Sequence, residues 1–169
     1  MDELAVSVVA ANLQAVMGLN SDIRPNQPKP EYAYRLGRLQ YDAAEIINTL
    51  ASLAGKVPLT LGVTRYDICT PILTFVYGES QLGGKAALIS LYRITDEKTD
   101  VTCTRAAKIG LHEVGHLLGI GHCRTQDCLM GFSATLEKLD QLQPRFCGAC
   151  AYEISRRLGH LFPPFVSAP

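Results

Sequence analysis

His112, Glu113 and His116 stand in the order His-Glu-x-x-His, and His122 follows at the end of the run His112-Glu-Val-Gly-His-Leu-Leu-Gly-Ile-Gly-His122. On an α-helix, positions four apart differ by only about 40° around the axis, so His112 and His116 can turn their imidazoles toward one ion. A catalytic zinc takes three protein ligands and keeps a fourth position for water. Gly119 is a natural place for the helix to stop and the chain to turn back, which would bring His122 under the same ion. Glu113 projects beside the histidine pair, where a carboxylate can take a proton from water, and it is the candidate general base. A bare His-Glu-x-x-His also arises by chance on helices whose histidines face solvent or pack in a core. Three of the four histidines in the chain fall in this one run, which favours the metal.

Directly after His122 comes a second set of ligand types: Cys123, Cys128, Cys147 and Cys150, spaced C-x4-C and C-x2-C. Four thiolates complete a tetrahedral zinc and leave no open position, so such a site would be structural. The same four residues could instead form two disulfides, although the closing C-x-x-C is a better metal knuckle than a bridge. Cys69 and Cys103 lie outside both groups and read as small buried apolar residues.

The extension of the first motif through Gly119 and His122 is the metzincin form. With HEVGHLLGIGHC, RTQDC, LM and CGAC in succession, the chain resembles the archaemetzincins, an intracellular metzincin family. That resemblance implies a zinc metallopeptidase with two zinc ions, the second held by the four cysteines. It also implies a Met-turn at Met130 beneath the catalytic metal, and a compact zincin-like α/β domain. In this family's fold a strand ahead of the first helix is usual, and the chain departs from that by opening at the helix. An antiparallel edge strand lining the cleft is a further implication, and Ala86 to Arg93, as the strand ahead of the histidine helix, is the candidate. An edge strand can bind an extended peptide across the metal; an ordinary core strand with its edge covered is the equal alternative.

These residues need elements to hold them. Asp2 to Met17 carries Leu4, Val8, Val9, Leu13, Val16 and Met17 at helical spacing and ends at Gly18. Arg24 to Glu31, with Pro25, Pro28 and Pro30, is a loop, and a short strand around Tyr32 to Leu36 follows. Asp42 to Ala54 reads as a helix: Asp42 and Glu45 make a capping-box-like start, Ala43, Ile46, Ile47, Leu50 and Leu53 form its stripe, and Gly55 closes it. Lys56 to Thr64 suits a strand buried on both faces, and Pro71 to Tyr77 and Ala86 to Arg93 read as two more, separated by Gly78 and Gly83-Gly84. The histidine helix is expected to start at Thr99 or Asp100 as N-cap, with Thr104, Ala107, Leu111, Val114 and Leu118 on its buried face. Phe132 and Ser133 are candidates for the cleft wall. Leu136, Leu139 and Leu142 suggest a short helix ended by Pro144, Ala149 to Leu158 a last helix, and Pro163, Pro164 and Pro169 an irregular tail.

The 169 residues suit one domain, 1–169, of α/β class with a mixed twisted sheet. Sixteen basic residues balance sixteen acidic ones without a like-charged run, so no nucleic-acid or anionic-membrane partner is implied. No apolar stretch is long enough to span a bilayer, and the acidic start Asp2-Glu3 is unlike a secretory leader, so a cytoplasmic location is expected. The expected activity is hydrolysis of a peptide or protein substrate by zinc and Glu113. The alternative is a zinc-containing peptide-binding or regulatory module with little turnover. Neither the physiological substrate nor the oligomeric state is legible.

Overall fold

A computed structural model describes residues 2–131 and 135–163. Eleven regular elements follow one another: α1 (Asp2–Met17), β1 (Tyr34–Arg35), β2 (Gln40–Asp42), α2 (Ala43–Leu53), β3 (Thr60–Thr64), β4 (Ile68–Cys69), β5 (Gly78–Ser80), β6 (Ala86–Ser90), α3 (Thr99–Leu117), α4 (Leu136–Gln141) and α5 (Gly148–Leu161). The α/β class holds, and the mixed sheet is divided into two. In one, β2 lies between antiparallel β1 and parallel β4; in the other, β6 lies between parallel β3 and antiparallel β5.

The second sheet carries the site. Strand β6, Ala-Ala-Leu-Ile-Ser, is apolar on both sides and buried throughout, as a central strand must be. Its register with β3 runs from Thr60 opposite Ala86 to Thr64 opposite Ser90. Of the two readings of the strand ahead of the histidine helix the core strand holds, and one expectation, for β3, changes. The strand ahead of the histidine helix is the centre of its sheet, because β3 and β5 occupy both of its sides; the antiparallel outer strand is β5. Strand β3, read as buried on both faces, is only half-buried along its length because it has a sheet neighbour on one side.

No strand forms over Pro71 to Tyr77, apart from a bridge between Val76 and Ile68. Pro71 has no N–H to give a ladder, and Ile72 is almost fully exposed. The carbonyls of Thr70 and Leu73 accept instead from the Arg38 guanidinium at 2.7 and 3.2 Å.

Helix α3 is the axis of the molecule. It was expected to bury one face, yet most of its residues from Thr102 to Leu117 are buried and Thr104 is exposed. One side takes α1, whose buried positions Ala5, Val9, Leu13 and Met17 recur every fourth residue, while Leu4 and Val16 stay exposed. Gly110 permits that approach: a Cβ there would lie 2.9 Å from Val9 Cγ1. Another side takes β5 and β6. The helix begins with Lys98, not Thr99 or Asp100, at the N-cap, and Asp96 Oδ1 accepts from the Lys98 amide at 3.1 Å. Helix α2 starts as expected, with Asp42 Oδ1 accepting from the amides of Ala44 and Glu45. Glu45 does not complete a capping box; its carboxylate meets Arg35 at 2.8 Å.

Two buried cations on α3 hold α4. Arg105 donates to both Asp140 oxygens at 2.8 and 2.6 Å and to the Ile94 carbonyl at 3.1 Å. Lys108 donates to the Leu139 and Asp140 carbonyls at 2.9 and 3.1 Å. These carbonyls belong to the last turn of α4, which has no helical donors for them. Pro163 follows α5 as irregular chain; Phe132, Ser133, Pro164 and Pro169 lie outside the described residues.

Hydrogen bonds from Arg105 hold the Asp140 carboxyl below its ordinary 3.8. A carboxyl depressed on folding stabilises above its unfolded pKa, and that contribution is lost as pH falls through the folded value. Asp140→Asn should therefore cost on the order of 1 kcal/mol at pH 6, a figure kept small by the partial exposure of Asp140. The difference should shrink as pH falls through the folded value, which urea midpoints of both proteins at pH 6 and in progressively more acidic buffer would show.

Candidate metal centres

Helix α3 delivers His112 and His116 one turn apart, as the spacing predicts, and their rings lie with centroids 4.5 Å apart. The helix then stops. Gly119 adopts φ 78°, and its amide and that of Gly83 both donate to the His116 carbonyl, at 2.7 and 2.9 Å. The left-handed conformation alone favours glycine here. A side chain would also strike the Arg157 guanidinium of α5, which lies over the turn. Beyond this turn His122 comes back, its ring centroid 4.8 Å from that of His116 and 5.5 Å from that of His112. One ring nitrogen from each of the three histidines falls within 4.8 Å of the others.

The backbone decides which nitrogen is offered. His112 Nδ1 meets the Leu129 carbonyl at 2.7 Å and His116 Nδ1 meets the Ile120 carbonyl at 2.7 Å. A carbonyl only accepts, so each Nδ1 carries the proton and each Nε2 presents a lone pair. These two Nε2 atoms face each other at 2.9 Å. Two lone pairs that close repel unless a cation or a shared proton lies between them. Burial lowers the pKa of His112 to about 4 and also lowers that of His116. Neutral imidazole is the form that coordinates a metal, so the donor set fits one.

Glu113, the residue after His112, packs against β5. It is 6% exposed, and its Oε2 accepts from Ser80 Oγ at 2.7 Å. Gly78 makes room for it: a Cβ there would stand 2.6 Å from Glu113 Oε1. Burial raises the Glu113 carboxyl to about 8, with the Ser80 hydroxyl opposing that rise; a zinc at the neighbouring histidines would favour its ionised form. Met130 is fully buried, and its sulfur sits where a side chain on Gly115 would go. Glycine in the middle of His-Glu-x-Gly-His thus lets the methionine lie directly under the histidine turn.

The four cysteines also converge. All six cysteines of the chain are free, with Cys69 and Cys103 buried as expected, and the sulfurs of Cys123, Cys128, Cys147 and Cys150 lie within 4.8 Å of one another. Cys123 Sγ is 3.8 Å from Cys147 Sγ, far beyond a disulfide bond. A tetrahedron of sulfurs about 2.3 Å from its centre has edges of about 3.8 Å. Backbone amides support thiolates: Thr125 N donates to Cys123 Sγ and Cys147 N to Cys128 Sγ, each at 3.3 Å. The amide of Cys150, at the start of α5, draws the Cys147 thiol down to about 6. Burial pushes Cys128 and Cys150 the other way. Hydrogen bonds from Thr125 lower Cys123 as well, and a bound cation would favour ionisation of the two reluctant thiols.

Residues 5–156 match the sequence model described as peptidase family M54. The chain belongs to that family. It is 36% identical to the archaemetzincin of Methanopyrus kandleri over 129 residues, covering 76% of this chain and 74% of the relative. With the archaemetzincin of Methanocaldococcus jannaschii it shares 38% over 142 residues, covering 80% and 78%. The crystal structure of the M. kandleri protein superposes with a TM-score of 0.87 at 32% identity, covering 94% of this chain and 88% of that one. A crystal structure of the Archaeoglobus fulgidus archaemetzincin complexed with malonate gives 0.83 at 31%, covering 90% and 94%. The family resemblance, the fold and the enzyme class of a zinc metallopeptidase all stand. Among the described residues no helix is long and apolar enough to cross a membrane.

Every metal-site candidate named from sequence falls in one of the two clusters, and Glu113 and Met130 adjoin the first. Sequence reading missed Gly78 and Ser80, because Gly78 was taken as a break between strands. A small residue and a hydroxyl two apart on one strand face were the available signal. The Leu129 and Ile120 carbonyls had none, since any residue type supplies a carbonyl.

Gly115→Ala tests the packing beneath the histidines. Met130 is fully buried, so the extra methyl should displace the turn and weaken zinc at the histidine cluster by roughly tenfold or more, in the range of lost supporting contacts. Competition with a chromophoric chelator would measure this; unchanged affinity would mean that the sulfur moves aside freely.

Proposed function

We propose that His112, His116 and His122 hold the catalytic zinc of a peptidase, that Glu113 is its general base, and that Cys123, Cys128, Cys147 and Cys150 hold a second, structural zinc. The observation that carries this is the meeting of three imidazole nitrogens at one point, two of them fixed as lone-pair donors, with a buried carboxylate on the adjoining residue of the same helix. When bound, zinc supplies a Lewis acid that lowers the pKa of water toward neutrality and polarises a peptide carbonyl. Glu113 takes the proton from the attacking water and returns it to the leaving amine. Met130 supports the histidine turn from below as the Met-turn residue. Among the described residues strand β5 pairs with β6 on one side only, and an extended peptide substrate adding to its other side would lie along the strand that contacts Glu113.

The chain works in this reading as one domain, 1–169. Four unpaired thiols around one zinc persist in a reducing compartment, which supports a cytoplasmic location.

Glu113→Gln should keep both zinc ions and the fold and lower kcat for peptide hydrolysis by a factor of about 10² or more. Parent-like turnover would refute the base assignment. His122→Ala should instead lose zinc from the first site. Chelator titration separates the metals: the first zinc should leave with activity and little change in melting temperature. Removing the second should cost several kcal/mol, since zinc binding there is partly folding free energy. A large stability loss with the first zinc would reverse the assigned roles.

A further inference from the structure

We infer that Ser80, with Gly78 beside it, is the positioning element that selects which oxygen of Glu113 handles the proton; this rests on the general-base reading above. A glutamate side chain rotates about three bonds and ends in two equivalent oxygens. A base must offer one of them in one direction, and small misplacements cost rate steeply. Glu113 is buried, and the Ser80 hydroxyl donates to its Oε2 at 2.7 Å. Hydrogen bonds to a carboxylate are about twice as strong as neutral ones, and the oxygen that accepts one is the less available for a proton. Oε1 is therefore the working oxygen.

Strand geometry makes this a two-residue device. Side chains two apart share a face, and both Gly78 and Ser80 lie against Glu113, while the charge of the intervening Glu79 acts on it only at a distance. A Cβ on Gly78 would lie 2.6 Å from Glu113 Oε1, 2.8 Å from Cγ and 2.9 Å from Cδ. Gly78 does not have a positive φ. Glycine is needed there for space rather than for backbone conformation. One residue supplies a donor for Oε2 and the other withholds a side chain from Oε1, so the carboxylate lies against the β5 backbone in a single orientation. Ser80 touches no reacting atom; it acts through Glu113. Because β5 is also the strand open to a peptide, the strand that would align the substrate also aligns the base, fixing each relative to the other.

Ser80→Ala, Ser80→Thr and Gly78→Ala are compared with the parent and with Glu113→Gln, as zinc-loaded full-length protein. Ser80→Ala should lower kcat about 10- to 100-fold with KM and zinc content unchanged, and Ser80→Thr, which keeps the hydroxyl, should return to within about threefold of the parent. Gly78→Ala should lower kcat at least as far as Ser80→Ala. Crystal structures give a readout independent of turnover: one Glu113 orientation in the parent and Ser80→Thr, a rotated or divided one in Ser80→Ala. Parent-like kcat in Ser80→Ala, a change confined to KM or zinc content, no rescue by threonine, or an unmoved Glu113 would each overturn the inference. If Ser80→Ala does not fold, Ser80→Thr and Gly78→Ala decide it: parent-like kcat in Gly78→Ala, or loss of activity in Ser80→Thr, counts against. Activity retained by Glu113→Gln would defeat the general-base reading itself, whereas an inactive Glu113→Gln beside a fully active Ser80→Ala would defeat this inference alone.

Discussion

Two carbonyl oxygens, of Leu129 and Ile120, fix the protons of His112 and His116 on Nδ1 and so force both Nε2 lone pairs toward one point. Much of the architecture keeps those oxygens in place. Ile120 is held by the turn at Gly119, where its amide returns to the Gly115 carbonyl at 3.0 Å. Leu129 is held from the other direction, its amide donating to the Arg145 carbonyl at 2.9 Å on the approach to the second cysteine pair. The fully buried Met130 follows it and fills the space under Gly115. The histidine cluster is thus defined less by its own rings than by backbone contributed from segments well beyond the helix.

Burial of α3 on most of its sides makes that definition rigid, and it has a cost in polar groups. Arg105 and Lys108 are carried into the interior with the helix, and each finds oxygen acceptors on α4. A buried cation left without such partners would be strongly destabilising, so α4 is tied to α3 by the need to satisfy these two side chains as well as by apolar contact through Leu139. Glu113 has the same problem with opposite sign, and Ser80 answers it from the sheet. The helix is therefore joined to its neighbours by polar contacts at both ends, with Ser80, Gly83 and Leu129 at the histidine end and with α4 at the other.

Residue types and spacing carried the ligand sets into view because coordination needs particular side chains at particular intervals. His112, His116 and His122 and the four cysteines converge where the sequence put them. The helices α1, α2, α4 and α5 were legible from periodicity and from Asp42, Gly18 and Gly55. The strands were less so. Pro71 to Tyr77 is apolar enough to read as a strand, yet Arg38 binds its carbonyls and Ile72 points to solvent. Gly78 to Ser80 is a strand with hardly an apolar atom in it, formed because β6 needed a second neighbour and Glu113 a partner. Periodicity cannot register the contacts of Arg38 with Leu73 or of Ser80 with Glu113, which join residues more than thirty positions apart.

His122 and Cys123 are consecutive, yet they belong to different clusters, and the stretch from Cys123 to Met130 closes on itself through the Cys123 amide and the Met130 carbonyl at 2.9 Å. Arg124, Thr125, Gln126 and Asp127 at its tip are exposed, and Asp127 takes φ 59°, which aspartate tolerates better than most. At Arg124 and Gln126 the tip is thus open to changes of residue type, and throughout it is closed to changes of length. A residue gained or lost between His122 and Met130 would put a cysteine, the imidazole or the Leu129 carbonyl out of phase with its partners. Over this segment the chain behaves as a gauge block, in which what is inherited is a count of peptide bonds more than the identity of the side chains they carry.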